Sequence, residues 1–583
     1  MTAVLETAPP RSTGTVLSVR DLRISFPGGV NALRGVSLDV GAGEIVGIVG
    51  ESGSGKTVLG LAALGLLPST AEVSGAAMLG DVEMLAAGAE DRRLARKRFA
   101  GAVFQDPMTS LNPTMRVGQQ VAEAAGSMGA ALEMLRRARV PEPERRARQY
   151  PHELSGGLRQ RVMIAMALAG SPALVVADEP TTALDVTVQK EILKLLVELR
   201  GETGASILFV THDLAVAAEL ADRIAVLYAG RLAELGPTAD VLSNPDHPYT
   251  AGLLAARLQP ESPRGVALPT LKGEPPDPRA HPPGCPFAPR CALAEPACDD
   301  ELPEPAPAPG HAGSVACRRS GEPTRVVLDV YERPRPQEDA DPVPALRLGG
   351  ISKSFGSRRN SRLVVDDLSL EVPAAGAVAL VGESGCGKTT TLRIAVGLER
   401  ADTGAIDVGP GGRPQLVFQD AGASLTPWMT IGELLEERVR SEGLAAKERK
   451  QRAKDALALV GLPADVTSRR PRELSGGQRQ RVAIARAVVV PPALLACDEP
   501  ISALDVSLAA TVLNLLSRLR AELGMAMLFV THDLAAARYV GDRVAVMADG
   551  RIVEEGPSEL VLAAPSHPVT RALVDAIPRL EAR

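Results

Sequence analysis

One eight-residue pattern, G-x-x-x-x-G-K-T, occurs twice in this chain. The first copy runs from Gly50 to Thr57 and the second from Gly382 to Thr389. In such a loop the glycines let backbone N–H groups curl around phosphates, the lysine reaches the β- and γ-phosphates, and the threonine hydroxyl ligates Mg²⁺. A loop of this kind follows a strand and opens a helix, so each copy predicts a βα unit of a mostly parallel α/β sheet.

Both loops are therefore predicted to bind ATP. The contacting residues are Gly50, Ser52, Gly53, Gly55, Lys56 and Thr57 in the first copy, and Gly382, Ser384, Gly385, Gly387, Lys388 and Thr389 in the second.

Further motifs follow each loop in the same order and at a constant spacing. An offset of 320 residues relates Ser155 to Ser475, Asp178 to Asp498, and His212 to His532. The loop lysines are 332 residues apart, whereas the glutamines that follow them, Gln105 and Gln419, are 314 apart, so the second copy is 18 residues shorter in that stretch. A constant offset with local length changes indicates duplication of a whole domain, because a solenoid would repeat every few tens of residues.

Length and charge limit the remaining possibilities. A chain of 583 residues suits two domains of about 200–250 residues plus a connection. The net charge of −6 disfavours bulk nucleic-acid binding. The longest apolar run, Val58–Leu67, is too short to span a bilayer, and residues 1–13 lack the apolar core of a signal peptide. We therefore expect a cytosolic protein that meets a membrane only through partners.

The predicted organisation has five parts. They are a flexible N-terminus (1–14), a first nucleotide-binding domain (15–257), a cysteine-rich extension (258–321), a linker (322–343) and a second nucleotide-binding domain (344–583).

Two carboxylates end an apolar strand in each copy. The runs 175–179 and 495–499 predict buried parallel strands that finish in Asp178-Glu179 and Asp498-Glu499. The aspartate can bind Mg²⁺ through water, and the glutamate can polarise the attacking water. Glu179 and Glu499 are thus the predicted catalytic bases.

Three further residue types complete each predicted site. His212 and His532 follow apolar strands and are interpreted as catalytic contacts to the γ-phosphate, and Gln105 and Gln419 as contacts to Mg²⁺ or water. The predicted Mg²⁺ contacts are Thr57, Gln105 and Asp178 in one site and Thr389, Gln419 and Asp498 in the other. Phe26 and Phe355 could stack on adenine, although a phenylalanine at a strand end is as often a core residue.

The order of these motifs resembles the ATP-binding-cassette (ABC) superfamily over nearly the whole chain outside its centre. Leu154–Gly157 and Leu474–Gly477 match its signature loop, Leu-Ser-Gly-Gly. The resemblance implies tandem P-loop domains, each with a parallel-sheet core, an antiparallel β subdomain and a helical subdomain, separated by a Cys/Pro-rich insert.

It also implies an intramolecular head-to-tail pair in which each signature closes over ATP held by the other domain. A serine hydroxyl, glycine N–H groups and a helix N-terminus form the second anion site. Lys56 would face Ser475 and Gly477, and Lys388 would face Ser155 and Gly157.

Finer features are similar to the importers of oligopeptides, dipeptides and nickel. The segment Phe104–Pro113, the residues around both signatures, and the tails 244–250 and 566–570 carry this similarity. It implies the two ATPase subunits of that family fused in one chain. They would dock on two membrane permease subunits at the cytoplasmic face of the membrane and serve an extracellular binding protein indirectly. The surfaces 106–150 and 420–470 would receive the permease helices, although the second copy departs from the family pattern at 420–427.

Other classes fit less well. A nickel or other small-solute importer stays open, because cargo is chosen by other chains. A soluble tandem-cassette translation factor usually has a charged helical arm between cassettes, whereas this region is rich in proline and cysteine. A zinc-bearing DNA-repair ATPase disagrees with the acidic charge, and a sugar importer's fused ATPase usually has a degraded second copy.

Four cysteines, Cys285, Cys291, Cys298 and Cys317, lie in the central region with the spacing C-x5-C-x6-C-x18-C. Four thiolates suit zinc or an iron–sulfur cluster. The spacing lacks the C-x2-4-C pairs of most zinc sites. The segment resembles the cysteine-rich C-terminal extension of peptide-importer ATPases, which implies a [4Fe–4S] cluster, with Zn²⁺ and free thiols as the alternatives.

Overall fold

The computed structural model describes residues 14–182, 184–322, 343–356, 361–502, 504–578 and 580. Apart from their edge residues, the predicted flexible N-terminus (1–14) and the linker (322–343) lie outside this description. We call residues 15–257 the first cassette, 258–321 the extension and 344–583 the second cassette.

The strands of the first cassette and extension are β1 (Thr15–Phe26), β2 (Val30–Gly41), β3 (Ile45–Val49), β4 (Glu72–Leu79), β5 (Val82–Glu83), β6 (Ala100–Val103), β7 (Leu174–Asp178), β8 (Ser206–Thr211), β9 (Arg223–Tyr228), β10 (Arg231–Pro237), β11 (Ala306–Pro307) and β12 (Ser314–Val315). Their helices are α1 (Lys56–Ala63), α2 (Ala89–Phe99), α3 (Pro107–Ser110), α4 (Val117–Ala125), α5 (Met128–Arg137), α6 (Pro143–Arg146), α7 (Gly156–Ala169), α8 (Val186–Thr203), α9 (Leu214–Ala218), α10 (Thr238–Ser243), α11 (Pro248–Ala256) and α12 (Pro296–Asp300).

The second cassette contains the strands β13 (Leu346–Phe355), β14 (Arg362–Val372), β15 (Ala377–Gly382), β16 (Thr403–Val408), β17 (Gln415–Val417), β18 (Leu494–Asp498), β19 (Ala526–Val530), β20 (Arg543–Ala548) and β21 (Arg551–Pro557). Its helices are α13 (Lys388–Ala395), α14 (Ala421–Ser424), α15 (Ile431–Val439), α16 (Ala446–Leu459), α17 (Gly476–Val488), α18 (Val506–Leu523), α19 (Leu534–Val540), α20 (Ser558–Ala563) and α21 (Pro568–Asp575). Short 3-10 helices cover Pro151–Glu153, Ala288–Arg290, Arg440–Glu442, Ala464–Ser468 and Pro471–Glu473.

Each cassette combines a parallel sheet, an antiparallel sheet and a helical region. The first has the strand order β11-β12-β10-β9-β3-β8-β7-β6, with β9, β3, β8, β7 and β6 mutually parallel, beside the antiparallel sheet β2-β1-β4-β5. The second repeats this as β17-β18-β19-β15-β20-β21 and β14-β13-β16. The predicted tandem α/β cassette fold is confirmed.

The parallel strands are apolar runs because helices cover both of their faces. All five residues of β3, β7 and β18 are buried, as predicted for the two strands that end in carboxylates. Each phosphate loop therefore starts from the centre of its sheet. Gly55, at the end of the first loop, has φ +102, and a Cβ there would lie 2.6 Å from the carbonyl oxygen of Ala32, so only glycine fits this position.

The extension packs against both cassettes. Leu258 and Leu268 pack with the core of the second cassette, whereas Leu271 and Phe287 pack with that of the first. Strand β12 adds to the first cassette's sheet by pairing with β10. The extension is thus a structural connection between the cassettes. Among the described residues, no helix is both long and apolar enough to cross a membrane.

Candidate nucleotide sites

Each phosphate-loop lysine is held inside its own loop. Lys56 Nζ donates hydrogen bonds to the carbonyl oxygens of Gly50 (2.7 Å) and Glu51 (2.9 Å), and Lys388 Nζ does the same with Gly382 and Glu383 (both 2.8 Å). Burial lowers the pKa of Lys56, and the nearby carboxylates, with Glu179 foremost, offset part of that effect. The loops thus place a buried cation where phosphate oxygens would bind.

The loop threonine and the strand aspartate meet in both cassettes. Thr57 Oγ1 donates to Asp178 Oδ1, and Thr389 Oγ1 to Asp498 Oδ1, each at 3.1 Å. Burial raises the pKa of Asp178, while the hydrogen bond from Thr57 opposes that rise. Oxygen ligands of this kind suit Mg²⁺, so the donor set fits the predicted metal.

The predicted glutamine and histidine converge on the catalytic glutamate. Glu179 Oε2 accepts from Gln105 Nε2 (3.1 Å) and from the Thr182 hydroxyl (2.8 Å), and its Oε1 lies 3.4 Å from His212 Nδ1. In the second cassette, Gln419 Nε2 donates to Glu499 Oε2 at 3.1 Å, and His532 Nδ1 lies 3.3 Å from the same oxygen. Each site therefore has one carboxylate that is held by the residues expected to contact water and the γ-phosphate.

The electrostatics of this group keep the carboxylate ionised. Burial alone would raise the pKa of Glu179, but the hydrogen bond and charge of His212 outweigh burial and lower that pKa to about 2. For His212, burial lowers the pKa, the carboxylate of Glu179 raises it, and the net shift is upward. An ionised glutamate at neutral pH can orient and polarise a water molecule.

Both catalytic glutamates occupy a strained backbone conformation. Glu179 and Glu499 each have φ +44, in the left-handed region that non-glycine residues rarely adopt. Their backbone N–H groups donate to Val210 O and Val530 O, each at 2.9 Å, which ties them to the neighbouring strand. Such strain at matching positions is typical of functional residues.

The two candidate adenine-stacking residues differ in exposure. Phe26 ends β1 and packs, half-buried, against the core of the first cassette. Phe355 ends β13 and is 44% exposed, with the ammonium of Lys353 5.3 Å from its ring centroid. The stacking role of both residues stays a prediction.

The phosphate loops also touch the opposite cassette. Ser52 N–H donates to Asp505 Oδ2 at 3.4 Å, and Ser384 N–H donates to Asp185 Oδ2 at 3.2 Å. Asp185 and Asp505 cap helices α8 and α18, and sequence reasoning missed them. Their 320-residue spacing was the available signal. The signature serines Ser155 and Ser475 stand at the N-termini of α7 and α17.

The four cysteines of the extension line one cavity, together with the buried side chain of His247. Burial raises the pKa of Cys317 to about 11, and the charges of the other three thiols add to that rise, which places the four groups close together. No three of these described sulfur atoms all lie within 4.8 Å of one another. A tetrahedral zinc site needs sulfur atoms about 3.8 Å apart, so this donor set fits a larger thiolate-bound cluster better than a single ion.

Known proteins resemble the chain along almost all of its length. The family model described as ABC transporter matches residues 33–182 and 365–502, and the model of the oligopeptide/dipeptide transporter C-terminal region matches 233–298 and 553–583. The oligopeptide transport ATP-binding protein OppD of Mycobacterium tuberculosis (strain ATCC 25618 / H37Rv) is 40% identical over 604 residues, which cover 97% of this chain and 98% of OppD. The glutathione import ATP-binding protein GsiA of Escherichia coli (strain K12) is 37% identical over 606 residues, which cover 97% of this chain and 90% of GsiA. The dimeric structure of MJ0796, a bacterial ABC transporter cassette, covers 36% of this chain and 98% of its own, at 28% identity and a TM-score of 0.34.

Proposed function

The chain belongs to the ABC transporter family and is an ATPase, and on that premise we propose that it powers the import of di- and oligopeptides. The observation that carries the proposal is the similarity to OppD, which extends over 97% of the chain. Matches to the oligopeptide/dipeptide C-terminal region after both cassettes point the same way. The similarity to GsiA makes glutathione, itself a small peptide, the second candidate cargo.

Two ATP molecules would be bound between the cassettes. One site pairs the loop of Lys56 with Ser475 and Gly477, and the other pairs the loop of Lys388 with Ser155 and Gly157. The contacts of Ser52 with Asp505 and of Ser384 with Asp185 support this head-to-tail arrangement, because each joins a phosphate loop to the opposite cassette.

Hydrolysis in each site would use the residues that surround the glutamate. Glu179, kept ionised beside His212, orients the attacking water, and Gln105 holds the carboxylate in place. The Lys56 ammonium and loop N–H groups stabilise charge on the transferred phosphoryl group. When bound, Mg²⁺ supplies further neutralisation of that charge, held near Thr57 and Asp178.

The helical region after each glutamine would meet the membrane partners, two permease subunits. Large apolar side chains are exposed there: Met108 is 45% exposed and Trp428 is 74% exposed. Exposed apolar residues of this size favour a protein contact. Closure on ATP and opening after hydrolysis would switch the permeases between outward and inward access, with this chain bound at the cytoplasmic face of the membrane and no role for nucleic acid.

The cysteine cavity would hold a [4Fe–4S] cluster, bound by Cys285, Cys291, Cys298 and Cys317. When bound, such a cluster supplies a redox-active, thiolate-linked crosslink. Anaerobically purified protein should contain iron and sulfide, and Cys285→Ser should lose iron while Cys386→Ser, outside the cavity, retains it. Stoichiometric zinc without iron would instead identify a zinc site.

The transport proposal is tested by uptake of a labelled dipeptide into cells that lack this protein. Wild type should restore uptake, and the Glu179→Gln/Glu499→Gln variant should not. Equal uptake by cells with and without the protein would overturn peptide cargo, and the same assay with labelled glutathione or nickel then decides between the alternatives.

A further inference from the structure

A carboxylate of the extension reaches the signature loop of the second cassette. Glu274 Oε1 accepts a hydrogen bond from Arg481 Nη2 at 2.6 Å, and Glu274 Oε2 accepts from Gln478 Nε2 at 3.1 Å. The hydroxyl of the signature serine, Ser475, donates to the same Oε2 at 3.4 Å. The side chain of Glu274 is 33% exposed, so solvent screens it only in part.

The segment that carries Glu274 is firmly docked on the second cassette. The backbone N–H and C=O of Leu268 bond to the side-chain amide of Asn514, each at 2.9 Å. The Leu268 side chain is buried in the second cassette's core, and Tyr539 Oη donates to Val266 O at 3.1 Å. Glu274 is therefore held at the signature loop by its backbone and is not a freely moving surface side chain.

The extension also contacts the phosphate loop that would face this signature. Arg290 forms a buried ion pair with Glu51, whose carbonyl accepts from the Lys56 ammonium. One nucleotide site, the pair Lys56–Ser475, is thus contacted by the extension on both of its sides.

The other signature loop has a different environment. Arg161, the counterpart of Arg481, pairs at 2.6 Å with Glu191 of its own cassette. The position equivalent to Glu191 in the second cassette is Thr511, so Glu274 replaces a partner that this cassette lacks. Glu191 has no described contact with Ser155, whose hydroxyl makes no capping hydrogen bond within the described part of the chain.

We propose that Glu274 is a positioning residue of the Lys56–Ser475 site that competes with the γ-phosphate of ATP for the Ser475 hydroxyl. The inference rests on the head-to-tail sites proposed above. A serine hydroxyl has one proton and cannot donate to two acceptors at once. ATP must therefore displace Glu274 from Ser475 at this site, whereas the Lys388–Ser155 site carries no such restraint. The two ATP sites of one chain consequently differ in nucleotide affinity.

Equilibrium binding of fluorescent nucleotides to the full-length protein tests this. In a Lys388→Ala background, which leaves the Lys56 site, binding of mant-AMPPNP is compared with and without Glu274→Ala. We expect the variant to bind the analogue roughly 3- to 10-fold more tightly, from the net worth of one hydrogen bond. Binding of mant-ADP should stay unchanged, because ADP has no γ-phosphate to reach Ser475.

The matched control is Glu191→Ala in a Lys56→Ala background. It removes the equivalent arginine partner at the other signature and should leave mant-AMPPNP affinity unchanged. With Ser475→Ala added, Glu274→Ala should no longer change affinity, because the contested proton is gone. Glu274→Gln keeps the shape of the side chain and should show part of the gain, which covers misfolding of the alanine variant.

Unchanged or weaker mant-AMPPNP binding in both Glu274 variants would overturn the proposal. An equal gain for mant-ADP would overturn it as well, because it would show a general loosening of the site. If the Lys388→Ala protein binds neither nucleotide, the assignment of the Lys56 site itself is wrong. None of these outcomes depends on peptide transport.

Discussion

The buried ion pair between Arg290 and Glu51 connects the extension to the first phosphate loop. Arg290 Nη1 lies 2.6 Å from Glu51 Oε2, and Nη2 lies 3.0 Å from Oε1. Both side chains are only 3% exposed. The guanidinium also donates to Tyr228 Oη at 3.2 Å, and Tyr249 Oη accepts the Glu51 backbone N–H at 2.9 Å. Every charge in this group has a partner, so removal of one charge leaves the other buried and unpaired.

We predict that Arg290→Met strongly destabilises the first cassette. Breaking a buried pair by removing one partner costs about 3–5 kcal/mol. In a domain of this size, 1 kcal/mol shifts the Tm by about 2–4 °C, so the expected loss is roughly 6–20 °C. Differential scanning calorimetry of the full chain measures this as a shift of the first cassette's transition.

The second cassette provides the matched control. Glu383 is the counterpart of Glu51, yet it is exposed and forms no ion pair in the described part of the chain. Glu383→Gln should therefore change stability by no more than about 0.5 kcal/mol. The double variant Glu51→Gln/Arg290→Met should recover part of the loss, because no unpaired charge remains. A Tm shift below about 2 °C for Arg290→Met, or no recovery in the double variant, would refute the reasoning.

Three further outcomes follow from the site geometry. The Glu179→Gln/Glu499→Gln variant should lower ATP turnover at least ~100-fold in a phosphate-release assay, since the carboxylates that polarise water are lost; turnover at the wild-type rate would refute the catalytic assignment. Because its folded-state pKa is raised, the stabilisation that His212 contributes is complete below its usual pKa of 6.5 and is lost as pH rises through the folded value. The Tm difference between wild type and His212→Ala should thus be larger at pH 6 than at pH 9, while Glu179, with a pKa of about 2, stays ionised throughout. Asp505→Ala should weaken ATP-driven closure measured by crosslinking between the cassettes, and an unchanged crosslinking yield would show that the Ser52 contact is dispensable.

Local motifs carried most of the fold and of the catalytic centre. The strand at 175–179 is an uninterrupted apolar run that ends in two acids, and such a run is buried in a parallel sheet whatever its distant partners are. The phosphate loop is equally local, because its glycines and lysine act within eight residues. These features were predictable because the residues that determine them are sequence neighbours.

The contacts that the sequence did not predict are distant in the chain. Glu274 lies between Gly273 and Pro275, in a stretch without helix or strand periodicity, and it meets Ser475 across 201 residues. Arg290 meets Glu51 across 239 residues. No local pattern encodes such a pairing, since it depends on how the extension crosses between two separately folded cassettes. Asp185 and Asp505 were missed for the same reason, although their helix-capping role was visible.

The central claim is that one chain builds two ATP sites, each from both cassettes. The most direct test counts the ATP molecules that the Glu179→Gln/Glu499→Gln variant retains after rapid gel filtration with Mg²⁺. We predict two ATP per chain, falling to one when Ser475→Ala is added. Two retained ATP in that triple variant, or fewer than two in its parent, would contradict sites shared between the cassettes.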